Sequence, residues 1–440
     1  MFLHGTSRIN EQGNLEIGGC DTTKLAAVYG TPLYVYDEAL IRSKCRAYVE
    51  AFRRTGFAFQ VAYASKAFCT MAMCKLVEEE GLSLDVVSGG ELMTALEAGF
   101  PAERIHFHGN NKSTEEIVLA LDAKIGCFVV DNFYELYLLE EIAGERGEKV
   151  SVLLRVTPGV EAHTHEYIST GQVDSKFGFD VQSGQALEAM RYASESKHLH
   201  LLGVHSHIGS QIFEVDGFVI AIQRLIELLD EAKQSFGFVS EVLNVGGGFG
   251  IRYTEADTPL PAETYIKAIT DTVRAEMTKR EIPLPELWIE PGRSIVGDAG
   301  TTLYRIGSQK NIPNVRKYIA VDGGMTDNLR PALYQAVYEA AIANKMNVPD
   351  TEVVSIAGKC CESGDMLIWD VKLPPAEAGD ILAVPSTGAY GYSMSNNYNR
   401  IPRPAVVFVK DGEAELVVKR ETFADVISKD VLPKRAHLQR

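Results

Sequence analysis

Between about residues 60 and 293 the chain alternates short apolar runs with longer stretches whose apolar positions recur every three or four residues. The runs fall at 61–64, 84–87, 105–107, 127–130, 152–156, 201–205, 242–245 and 287–289, each short enough for a buried strand. Segments such as 70–80, 114–124 and 218–233 between them carry the periodicity of helices packed on a sheet. Ser113 with Glu116 forms a capping-box signal at the start of one of them. Eight strand–helix units predict a closed (β/α)₈ barrel. An open doubly wound sheet would place a glycine-rich loop after the first strand, whereas the run Gly246-Gly247-Gly248-Phe249-Gly250 follows the seventh.

After about residue 294 the pattern shifts to short runs at 318–321, 353–357, 381–384, 405–410 and 414–419, separated by Gly, Pro and Asp. Asp411-Gly412 between the last two is a hairpin signal. The fold class expected is therefore α/β, with a (β/α)₈ barrel over 36–294. A second, mainly antiparallel β domain is expected to take 295–440 together with 1–35.

Composition narrows the functional classes. With 440 residues, 46% of them hydrophobic, the chain can bury a substantial core. A net charge of −16 makes nucleic acid and anionic membranes poor partners, so an anionic ligand needs a local positive site. Seven cysteines, an odd number with no C-x-x-C pair, speak against a disulfide framework or a structural zinc and for a reducing cytoplasm. Met1–Asn10 carries no signal-peptide pattern, and no stretch has the length to span a bilayer.

In such a barrel the polar residues at the C-terminal strand ends surround one cavity. Here they are Lys66, Asp85, His108, Arg155, His205 with His207, the glycine run, and Glu290-Pro291-Gly292-Arg293. Gly246–Gly248 can form an anion nest, with Gly292 and Arg293 facing it. A lysine desolvated beneath a cavity has a lowered pKa and suits Schiff-base chemistry. Lysine, phosphate nest and a partner for a pyridine nitrogen are what pyridoxal phosphate needs. Glu290 can be that partner, and a carboxylate there favours decarboxylation over racemisation. The pairs His205/His207, His106/His108 and His163/His165 have metal-compatible spacing, but a metal reading leaves Lys66 and the glycine run without a role, and no metal is expected.

The ordered motifs YASKA, HSHIGSQ, NVGGGFG, EPGRS, CESGD and GAYGYSMSNNYN resemble the fold-type III pyridoxal-phosphate-dependent decarboxylases. HTHEYISTGQVDSKFGF, residues 163–179, resembles the branch acting on diaminopimelate rather than on ornithine or arginine. The resemblance implies decarboxylation of meso-2,6-diaminopimelate to L-lysine and CO2, the last step of lysine biosynthesis by that route. It implies Lys66 as the cofactor lysine, His207 stacked on the ring and Glu290 on its nitrogen. Asp85, Ser210, Gly247, Gly248, Pro291, Gly292, Arg293 and Tyr390 complete the implied cofactor site. Arg293, Arg330, Tyr334, Glu362 and Tyr390 are implied for substrate, and Cys361 as proton donor. Cys361 and Glu362 would come from the partner subunit of a homodimer. Charge complementarity suits a two-headed substrate, since Arg330 and Glu362 offer opposite charges to a far carboxylate and ammonium.

Overall fold

A computed structural model describes residues 1–160 and 175–433. The segment 163–174, with the His163/His165 pair and most of the diaminopimelate-type motif, lies outside the described residues.

Eight parallel strands close the barrel: β1 (Phe59–Ala64), β2 (Ser83–Val86), β3 (Ile105–Phe107), β4 (Cys127–Val130), β5 (Val150–Thr157), β6 (Leu199–His205), β7 (Val242–Asn244) and β8 (Glu286–Ile289). Each pairs with the next, and Leu287–Ile289 of β8 pairs with Phe59–Val61 of β1 to complete the ring. The strands are buried on both faces, which is why they read as continuous apolar runs rather than alternating ones. Outside the ring, Asp216–Phe236 packs on Ala262–Lys279, burying Phe218, Ile222, Leu225 and Leu229 at helical spacing. Ser113 caps Thr114–Ala123, with the reciprocal Glu116 bond in place.

The second layer is a mainly antiparallel sheet in the order 366–373, 352–357, 316–321, 300–312, 33–37, 405–410, 413–418. Strand Leu33–Asp37 enters it before the chain reaches the barrel, pairing with Gly300–Ile312 and with Ala405–Lys410. Lys410 opposes Glu413, and Asp411 and Gly412 between them both have positive φ, 53° and 83°, as a two-residue type I′ turn requires. Among the described residues no helix is long and apolar enough to cross a membrane.

Candidate active site

The C-terminal ends of the barrel strands open on a cavity of about 760 Å³. Its walls include Lys66, Asp85, His207, Ser210, Gly248, Glu290, Gly292, Arg293, Arg330, Tyr334 and Tyr390. Lys66 lies in a single 3₁₀ turn, Ser65–Ala67, directly after β1. Contrary to the sequence expectation, it is not desolvated: its side chain is exposed in the cavity.

Gly247 and Pro291 do not line the cavity, and this corrects the nest expected from the glycine run. The Gly247 N–H is given to His207 Nδ1 at 3.2 Å, and a Cβ there would overlap the Glu290 carbonyl oxygen. The Pro291 carbonyl accepts from Ala64 N at 3.1 Å, tying β8 to β1. These glycines allow the loops after β6, β7 and β8 to press on one another, and Gly248 alone of the three faces the cavity. Gly246 has φ 72°, and a Cβ there would overlap the Ser206 carbonyl oxygen. We expect Gly246→Ala to cost more than about 1 kcal/mol and to weaken cofactor retention, both measurable by denaturant titration and dialysis.

The electrostatics are set by the cations that line the cavity. Outside the cavity some arginines, such as Arg42, Arg280, Arg316 and Arg400, are paired with carboxylates, and others, such as Arg224 and Arg274, donate to backbone carbonyls. Arg155, Arg293 and Arg330 line the cavity, and none has a carboxylate within 4.0 Å among the described residues. Arg293 is buried, yet its partners are neutral: it donates to Ser210 Oγ at 2.9 Å and to the Tyr253 hydroxyl, and lies 4.9 Å over the Tyr390 ring. Arg330 donates to Tyr338 OH at 2.6 Å and lies 4.9 Å over Tyr253. A buried guanidinium without a counter-ion is costly, so the cavity is built for anions carried by its ligand.

Glu290 is the opposing charge. Its Oε2 lies 3.0 Å from His205 Nε2, and its Oε1 accepts from Asn244 Nδ2 at 2.6 Å and lies 3.2 Å from His108 Nε2. Burial alone would raise its pKa, but His205 and His108 outweigh it and hold the carboxyl well below its usual range. His207 is pushed well below the ordinary imidazole value by burial and by the cations Lys66 and Arg155. With Nδ1 accepting from Gly247, it is a neutral ring available for stacking.

His205 and His207 do not act as a pair: His205 turns to Glu290 and His207 to Gly247. One histidine from each of two pairs, His108 and His205, meets Glu290, with their polar atoms within 4.8 Å of one another. Tyr253, Asn244 and the contact of His108 to Glu290 were missed from sequence. Tyr253 carried a signal, being the first hydroxyl after the glycine run. Cys361 and Glu362 are both exposed and lie outside the cavity walls of their own chain.

A parallel barrel with a strand-end lysine, a buried carboxylate and, among the described residues, arginines without carboxylate partners around one cavity fits a pyridoxal-phosphate enzyme of the lysine-anchored barrel class. Residues 38–297 match the family model for the pyridoxal-binding domain of pyridoxal-dependent decarboxylases. The chain is 64% identical to diaminopimelate decarboxylase of Bacillus subtilis, over 98% of each chain, and 50% identical to that of Staphylococcus aureus, over 97% of this chain and 99% of the relative. The structure of diaminopimelate decarboxylase from M. jannaschii in complex with L-lysine superposes with a TM-score of 0.91 at 40% identity, covering 97% of this chain and 98% of that one. The chain belongs to the diaminopimelate decarboxylase family.

Proposed function

We propose that the protein removes one carboxyl group of meso-2,6-diaminopimelate as CO2 and releases L-lysine, using pyridoxal phosphate. The observation that carries this reading is the set of guanidiniums around Lys66 and Glu290 that have no carboxylate partner among the described residues. One dianionic phosphate and a substrate with two carboxylates supply the missing negative charge.

Lys66 would hold the cofactor through its amine, and Ser210, Gly248, Gly292, Arg293 and Tyr390 would hold its phosphate. Asp85, His207 and Glu290 would bound its ring. When bound, that group supplies an electron sink for the carbon that loses its carboxylate. The protein's part is binding and proton handling. Arg330 and Tyr334 fix the far carboxylate, so that the two amino-acid ends are not interchangeable. Cys361 Sγ returns a proton to the carbon that has lost CO2.

Because Cys361 and Glu362 lie outside their own chain's cavity, we place them in the partner's site, Glu362 on the far ammonium of the substrate. The working unit is then a homodimer with shared sites. Of the two adjacent thiols, burial and then Asp365 push Cys360 up to about 11, and Cys360 is enclosed while Cys361 is exposed. That contrast supports Cys361 as the donor. We divide the chain into a cofactor barrel, 36–294, and a β-rich unit of 1–35 with 295–440, a division supported by Leu33–Asp37 pairing within the second sheet. A cytoplasmic setting is supported by seven cysteines that form no disulfide.

Arg330→Met is expected to raise KM for meso-diaminopimelate by about tenfold to a hundredfold, the worth of a charged hydrogen bond, with cofactor affinity unchanged. Steady-state kinetics beside a cofactor titration separate the two. An unchanged KM would remove Arg330 from substrate recognition.

A further inference from the structure

Beneath the cavity, side chains from four other strands or strand ends converge on Glu290 and on His108 beside it. Asp85 comes from β2, His108 follows β3, His205 ends β6 and Asn244 ends β7. All are buried. His108 Nε2 sits between two carboxylates, 3.2 Å from Glu290 Oε1 and 3.4 Å from Asp85 Oδ1. Polar groups near this cluster include His106, whose Nδ1 lies 3.4 Å from Asp85 and whose ring stacks on Trp288 at 4.3 Å, Arg155 after β5's midpoint, Glu91 and Cys127.

The two histidines on Glu290 are not equivalent. His205 Nδ1 is buried without a hydrogen-bond partner, so a second proton on that ring would be an orphaned N–H. His205 is therefore a neutral donor through Nε2. His108 instead faces two carboxylates; burial opposes its charge, but Glu290 and Asp85 together push it up to about 9. Glu290 accepts hydrogen bonds from Asn244 on Oε1 and from His205 on Oε2, while His108 Nε2 approaches Oε1 at ion-pair distance without a hydrogen bond.

We propose that His108 is a positioning residue for the cofactor, a buried imidazolium clamped between Asp85 and Glu290. Its charge keeps Glu290 a weak base, so that the proton shared with the cofactor's ring nitrogen resides on that nitrogen. The proton of a hydrogen bond goes to the stronger base, and a cation beside a carboxylate makes that carboxylate the weaker one. This rests on the reading of Glu290 as the ring-nitrogen partner.

The test is the magnetic resonance of holoenzyme reconstituted with pyridoxal phosphate isotopically labelled at its ring nitrogen. Wild type is expected to give the shift of a protonated ring, and His108→Gln a shift well toward the neutral pyridine. An unchanged shift in His108→Gln overturns the proposal. Glu290→Gln is the reference arm. If it moves the shift and His108→Gln does not, only the role of His108 falls; if neither moves it, the role of Glu290 falls with it. Should His108→Gln not fold, the histidine nitrogen signals of wild-type holoenzyme decide the matter. His108 is expected to be doubly protonated at a pH of about 7.5, and a neutral His108 contradicts the proposal.

Discussion

Lys66→Ala is expected to lower turnover by at least about 10³-fold, and borohydride treatment should then leave no cofactor attached to the chain. The cavity contains a second amine, Lys176, which lies 4.9 Å over the Phe177 ring. The two are told apart by their settings. Lys66 stands on a one-turn helix fixed at the end of β1, and the loop after β8 is pressed against the end of β1 and that turn: a Cβ on Gly292 would meet Ala64 and Ala67 at 3.0 and 3.3 Å. Tyr390 N and Ser393 Oγ both donate to the Ala67 carbonyl, so the turn is also anchored from the second sheet's side. Lys176 has no such support from the barrel strands among the described residues. Lys176→Ala should keep the borohydride-fixed label and Lys66→Ala should lose it; mass spectrometry of the labelled peptide reads the difference. Full turnover by Lys66→Ala would overturn the mechanism.

Mixing two inactive variants, Lys66→Ala and Cys361→Ala, is expected to restore about a quarter of wild-type activity. If each site takes Lys66 from one chain and Cys361 from the other, half of randomly mixed dimers are hybrid. One site of each hybrid then holds both missing groups and the other holds neither. The structure motivates this through the loop around Cys361. Asp365 accepts from Cys360 N at 2.8 Å and from Met325 N at 2.6 Å, while Cys361 N donates to Asn399 Oδ1 at 2.7 Å. The loop is thereby braced with Cys360 facing inward and Cys361 and Glu362 outward. No activity above that of the separate variants would show that each chain supplies its own proton donor.

How much of this was legible in the sequence depended on the range of the interactions. The eight barrel strands came out within a few residues because strands buried on both faces are mostly apolar, with few polar interruptions. The Ser113 cap and the Asp411-Gly412 turn were legible because their chemistry is local. The long strand Gly300–Ile312 was not read: its first five residues are buried and most of the rest are exposed, so neither alternation nor a bounded apolar run marks it. Met366–Leu373 was also missed, and its pairing with Glu352–Ala357 contains register shifts that break the alternation.

At the site, Lys66, Asp85, His207, Ser210, Gly248, Glu290, Gly292, Arg293, Arg330, Tyr334 and Tyr390 do gather around one cavity. The glycine run was misjudged in part because sequence cannot say which neighbour a missing Cβ makes room for. For Gly247 it is the Glu290 carbonyl, not a ligand. The convergence of His108, His205 and Asn244 on Glu290 was invisible for a related reason. Those residues are separated by up to about 180 positions and meet only because barrel closure brings β3, β6, β7 and β8 together.

The central claim is that this cavity decarboxylates a two-headed amino acid. Carbon dioxide release by the reconstituted enzyme, measured with meso-diaminopimelate beside L-lysine, L-ornithine and L-arginine, tests it most directly. The account predicts release from meso-diaminopimelate with L-lysine formed in equal amount, and none above background from the other three. Preferential release from L-lysine, L-ornithine or L-arginine would contradict it.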